Sequence, residues 1–169
     1  MTWWRRNRLA LAALALLLPV TAGVMSWSAW SGYRANQPTT PVPVAGGAVN
    51  YASGILGPAE TTELVAADFG LPANTRLIRV VVPVVPHDGE SATCQVPELW
   101  ERGGERRWAE QSSLIGAEPL TRSVACTDEM GPYELTLDYV VPTDAGELSL
   151  AIVSPGALPV FAEIPIISS

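Results

Sequence analysis

"YELTLDYVVPTDAGELSLAI", residues 133–152, decides the fold class. In its first half Tyr133, Leu135, Leu137, Tyr139 and Val141 fall on one side of an extended chain, with Glu134, Thr136 and Asp138 on the other. Successive side chains of a strand point to opposite faces, so this alternation marks a strand with one buried and one wet side. Leu148, Leu150 and Ile152 repeat the theme against Glu147 and Ser149. Between the two runs lies Val141–Glu147, which carries the turn residues Pro142, Asp144 and Gly146. The two strands are therefore expected to pair antiparallel.

The same period extends outward. "TRLIRVVVPVVP", residues 75–86, is β-branched and nearly continuous, as a central strand is. Pro83 cannot donate to a ladder, which predicts a bulge or a sheet edge there. "CQVPELWERGGERRWAE", residues 94–110, reads as two strands around a tight turn at Gly103-Gly104, flanked by Trp100 and Trp108. "LPVFAEIPIISS", residues 158–169, closes the chain as a strand with Leu158, Val160, Ala162 and Ile164 on one face. Residues 49–55 and 120–126 are weaker strand candidates, and Ala59–Asp68 fits a short helix as well as a strand. Seven to nine short strands with no long amphipathic helix among them predict an all-β, antiparallel sandwich over residues 48–169.

The N-terminal part follows different rules. Residues 9–30 carry no charge, and Thr21, Ser26 and Ser28 are their only polar side chains. As a helix these 22 residues reach roughly 30 Å, the thickness of a bilayer's hydrocarbon core. Arg5, Arg6 and Arg8 precede the run and only Arg34 closely follows it, which places the N-terminus in the cytoplasm. Trp3 and Trp4 on one side, and Trp27, Trp30 and Tyr33 on the other, suit the two lipid–water boundaries. The rival reading is a secretory signal cleaved after Ala22, but the apolar run continues for eight residues beyond it. The resulting division is a cytoplasmic tail (1–8), a transmembrane signal-anchor helix (9–30), a Pro-rich stalk (31–47) and an extracytoplasmic domain (48–169).

Charge and cysteine use agree with export. All 17 acidic residues lie at or after Glu60, against six arginines there, a formal charge of −11. Such a domain lacks the basic footprint that nucleic acid requires. Cys94 and Cys126 are the only cysteines, and outside the cytoplasm they are expected to form a structural disulfide. Closing that loop stabilises the domain by roughly 3–4 kcal/mol in the chain-entropy treatment.

The catalytic inventory is thin. His87, the single histidine, stands in a proline and Asp-Gly turn context, and no G-x-S-x-G elbow supplies a serine nucleophile. Without lysine, Schiff-base and Ser-Lys chemistry are excluded. One histidine and two bonded cysteines do not make a zinc site, and the acids of "CTDEMG" (126–131) and "PTDAGE" (142–147) lack the spacing of a calcium loop. No cofactor, metal or catalytic residue is expected, nor a small-molecule ligand. One local exception to the acidic surface is "ERGGERR": Arg102, Arg106 and Arg107, with Trp100 and Trp108 beside them, form a candidate contact for an acidic partner.

The anchor, the Pro-rich stalk, "LPANTRLIRVVVPV", "LWERGGERRW" and "YELTLDYVVPTDAGELSLAI" together resemble the immunoglobulin-like ectodomains of actinobacterial single-pass membrane proteins and lipoproteins of unknown role. The resemblance covers roughly residues 70–165 and departs from the lipoproteins in lacking a lipidated cysteine. It implies an accessory or binding role and transfers no catalytic residues. The expectation is a non-enzymatic accessory subunit or assembly partner of a larger membrane complex, held in the bilayer by residues 9–30. The alternative is a free-standing surface module for a soluble ligand or wall polymer.

Overall fold

The computed structural model describes residues 2–116 and 122–166, without the side chains of Thr2 and Trp4. The expected boundary role of Trp4, the start of the weak strand candidate at Leu120 and the last residues of the closing strand lie outside them. The chain divides into two compact units, Met1–Gln37 and Pro38–Ser169.

The first unit is one helix, α1 (Thr2–Ala35). Alanine and leucine dominate it, and both favour helix. It is apolar and exposed around its circumference, long enough to cross a membrane. At 34 residues it spans roughly 50 Å, so it outruns the expected 9–30 segment at both ends. Pro19 sits inside it, and the Thr21 hydroxyl donates to the nearby Leu17 and Leu18 carbonyls. Near the C-terminal end Trp30 stacks on Tyr33 at 6.1 Å, and the Arg34 guanidinium lies 5.0 Å from the Trp30 ring.

Among the described residues the second unit holds ten strands: β1 (Thr40–Val42), β2 (Val49–Tyr51), β3 (Gly54–Leu56), β4 (Glu60–Leu64), β5 (Thr75–Pro86), β6 (Glu98–Glu101), β7 (Arg106–Trp108), β8 (Tyr133–Pro142), β9 (Leu148–Ile152) and β10 (Val160–Ile166). One sheet runs β1-β10-β9-β6-β7, with β1 parallel to β10 and the other pairs antiparallel. The other is built on β5, which pairs with β8 on one side and with β3 and β4, laid end to end, on the other. The inner faces share one core, in which Val80, Val82 and Val84 of β5 and Leu135, Leu137 and Tyr139 of β8 join Leu99, Leu150, Ile152 and Ile164 from the first sheet.

Several expectations meet their outcome here. The segment 59–68 is a strand, β4, followed by a 3-10 turn at Ala66–Phe69. Of the segment 31–47 expected as a stalk, residues up to Ala35 continue the helix and 40–42 form β1 against β10. Pro83 lies in a central strand, yet its carbonyl accepts from Gly57 at 2.9 Å, so its missing donor faces the gap between β3 and β4. N–H and C=O of one strand residue point the same way, which is why the proline breaks no ladder bond there.

The expected hairpin of 133–141 with 148–152 is not formed. β8 pairs with β5 and β9 with β10 and β6, so residues 142–147 cross from one sheet to the other. A hairpin would have aligned both apolar faces in one sheet; the crossing sets them face to face, which buries both. The wet side assigned to β8 is also covered at Asp138, which is fully buried. Arg79 reaches its two oxygens at 2.7 and 3.0 Å, and Arg122 binds one of them at 3.0 Å.

The connection after β7 shields the free edge of β8. Gln111 N–H donates to the Asp138 carbonyl at 2.8 Å, and Thr136 N–H donates to the Ser123 carbonyl at 3.0 Å. This satisfies edge groups that would otherwise invite another strand. Cys94 and Cys126 are bonded, tying that connection to the β5–β6 link. The buried hydroxyl of Tyr139 donates to the Pro97 carbonyl at 2.8 Å, and burial raises its pKa far above the usual phenol value. Tyr51 OH accepts from Ser154 N–H and donates to the Val160 carbonyl, joining β2 to the other sheet.

Two outcomes follow from this arrangement. Replacing Asp138 by Ala leaves two arginines without their shared carboxylate and is expected to cost ~3 kcal/mol or more in urea unfolding. Replacing Cys94 and Cys126 together by Ala is expected to cost ~3–4 kcal/mol in the same measurement.

Candidate functional site

The β6–β7 hairpin carries the residues singled out as a partner contact. Its turn needs left-handed backbone at Arg102 (φ 48°), Gly103 (φ 68°) and Gly104 (φ 93°). A Cβ on Gly104 would lie 3.2 Å from the Trp100 ring and 3.1 Å from the Arg107 guanidinium, so glycine there allows both to close over the turn.

Strand alternation then sends the hairpin's side chains in different directions. Leu99 and Trp108 are opposite one another and face the main core, with Trp108 half-buried. Trp100 and Arg107 share the outer face, where Trp100 packs on Phe161 at 5.1 Å beside Ala151 and Val153. The Arg107 guanidinium covers the Trp100 ring at 4.3 Å and donates to the Gly104 carbonyl at 3.1 Å. With only 3 % of its surface exposed, Trp100 is no stacking platform. The Trp100 ring therefore contributes to no exposed groove.

Glu101 and Arg106 face inward at the end of the core. Glu101 is buried, bound by the Arg106 Nε and Nη2 and by the Gly146 N–H at 2.7 Å. Arg106 also reaches Asp144 at 3.2 Å, and its guanidinium lies 5.6 Å from the Trp108 ring. The pair fastens the crossing segment 142–147 to the hairpin. Arg106 foremost, then the Gly146 N–H, holds the Glu101 carboxyl down from 4.5 to about 2, while Glu101 and Asp144 raise the Arg106 pKa.

The three hairpin arginines thus do not form one patch. Arg106 is committed to internal carboxylates, Arg107 lies over Trp100, and Arg102 turns to a separate cleft of about 870 Å³. That cleft opens between the inner side of β4 and the end of β10, with Arg76 and Arg102 on its lining together with Glu63, Glu147 and Glu163. Arg76 has the same parity along β5 as Ile78 and Val80, so it points between the sheets; it donates to the Ala145 carbonyl at 3.0 Å. The sequence reading missed Arg76, although its parity with the buried valines was visible. Asp138 was equally hidden, because only the fold puts Arg79 and Arg122 within its reach, whereas Glu101 and Arg106 are five residues apart across the hairpin turn.

His87 stands in the turn after β5, its N–H on the Ser53 carbonyl and its carbonyl accepting from Glu90. Its imidazole meets no carboxylate, hydroxyl or thiol among the described residues. Among the same residues no three potential metal-ligating side chains gather, and Asp144 faces Arg106. No protein-family profile matches the chain, and no curated protein or solved structure matches it either.

The lowered Glu101 pKa gives a signed expectation. A carboxyl whose folded pKa lies below its unfolded value contributes stability that is complete above about 4.5 and is lost as pH falls toward about 2. Glu101→Gln should therefore flatten the acid limb of a stability profile between those two values, measured by thermal melting across pH.

Proposed function

We propose that this chain is a single-pass membrane protein whose exported immunoglobulin-like β-sandwich serves, without catalysis, as an accessory subunit or assembly partner of a larger membrane complex. The observation that carries this reading is α1, apolar on all sides, free of acidic residues and joined to a disulfide-bonded β domain. A helix with no polar face has no use for water on any side, and a bilayer is the solvent that suits it. The arginines at its start and the disulfide beyond it both favour a cytoplasmic N-terminus with the domain outside.

The immunoglobulin-like assignment rests on strand order. A first strand parallel to the last, the series β10-β9-β6-β7, and the β5–β8 pair opposite it, with sheet-crossing links after β1, β5, β7 and β8, follow the Greek-key pattern of that architecture. The disulfide departs from it, joining two connecting segments instead of two facing strands. Small residues along α1, among them Ala12, Ala13, Ala15, Ala22 and Gly23, permit close helix packing against a membrane partner. The second reading, a free-standing ligand-binding module, is favoured by the Arg76–Arg102 cleft.

Purification of a C-terminally tagged chain from native membranes in mild detergent, followed by mass spectrometry, separates the two. A stoichiometric integral-membrane companion is the expected result. Recovery of the chain alone, at full yield and still membrane-bound before extraction, would sink the accessory-subunit reading.

A further inference from the structure

The Arg76–Arg102 cleft is lined by opposite charges that form no ion pair with one another. Elsewhere in the domain Arg79, Arg106 and Arg122 each bind a carboxylate. In the cleft, Arg76 and Arg102 share a lining with Glu63, Glu147 and Glu163, and no ion pair joins them. Glu163 is held by the Ser149 hydroxyl at 2.8 Å. Arg76 is fixed through Nη2 on the Ala145 carbonyl, while its Nε is enclosed with no hydrogen-bond partner. An enclosed, unmatched donor on a charged group costs free energy.

The charge arrangement selects the ligand. A simple anion would meet three glutamates, and a simple cation two arginines. A molecule with a carboxylate at one end and an ammonium group at the other satisfies both sets. The volume, about 870 Å³, lies within the range of small-molecule sites, and Ile78, Leu148 and Ile166 give it an apolar lining. The cleft lies by Ile166, at the far end of β10 from Val160.

We propose that this cleft binds a short zwitterionic peptide, its carboxylate between Arg76 and Arg102 and its ammonium group toward the glutamates. The proposal goes beyond the accessory-subunit reading and does not depend on it, since a peptide can bind whether or not a membrane companion exists.

The test uses the full chain in detergent micelles and isothermal titration calorimetry with three probes: trialanine with free ends, N-acetyl-trialanine and trialanine amide. Free trialanine is expected to bind saturably. Blocking either end should weaken binding about tenfold, the loss of one charge-assisted contact. Arg102→Ala, at an exposed hairpin tip, should weaken it similarly with an unchanged melting temperature, and Arg76→Gln should do so wherever it folds. No saturable heat up to ~10 mM trialanine, a regime of negligible affinity, would overturn the proposal. So would equal binding of the free peptide and either capped form, or full affinity in Arg102→Ala.

Discussion

The architecture turns on how residues 142–147 cross from one sheet to the other, and a buried carboxylate holds that crossing in place. Glu101 lies at the end of β6 and binds both the Gly146 N–H and the Arg106 side chain. Arg106 in turn reaches Asp144 on the same segment. A buried charge is tolerated when its oxygens are paired and hydrogen-bonded, and these are. With the crossing pinned, β8 is delivered to β5 and β9 to β10 and β6, and the two apolar faces meet as one core.

A second ionic centre works on the outside of the other sheet. Asp138 binds Arg79 across the β5–β8 pair, then Arg122 from the covering connection. The same residue's backbone carbonyl takes the Gln111 N–H. One position thereby joins strand pairing, edge protection and the disulfide-tied connection. The domain's acidic composition is thus partly internal, with carboxylates used as buried fasteners as well as solvent-facing groups. Arginine suits this use because its planar fork meets both carboxylate oxygens at once.

These fasteners also define what remains free. The hairpin arginines expected to act together are separated by strand parity, and two of them are occupied within the fold. Among the described residues, Arg76 and Arg102 are left without an ion pair at the end of the domain, in a cleft that does not contain His87.

Local pattern determined much of this protein. An uninterrupted apolar run specifies a helix suited to a bilayer, alternation specifies β5, β8, β9 and β10, and the only two cysteines specify their own partner. These properties arise from neighbours in the chain, so they are readable one segment at a time. Tertiary structure alone decided that β8 and β9 part company, that Asp138 is buried on a nominally wet face, and that Arg76 and Arg102 face one cleft. Turn residues such as Pro142, Asp144 and Gly146 permit a reversal but do not say which sheet the chain rejoins. That choice depends on burying both faces at once and on a carboxylate from β6, residues distant in sequence whose meeting no local pattern encodes.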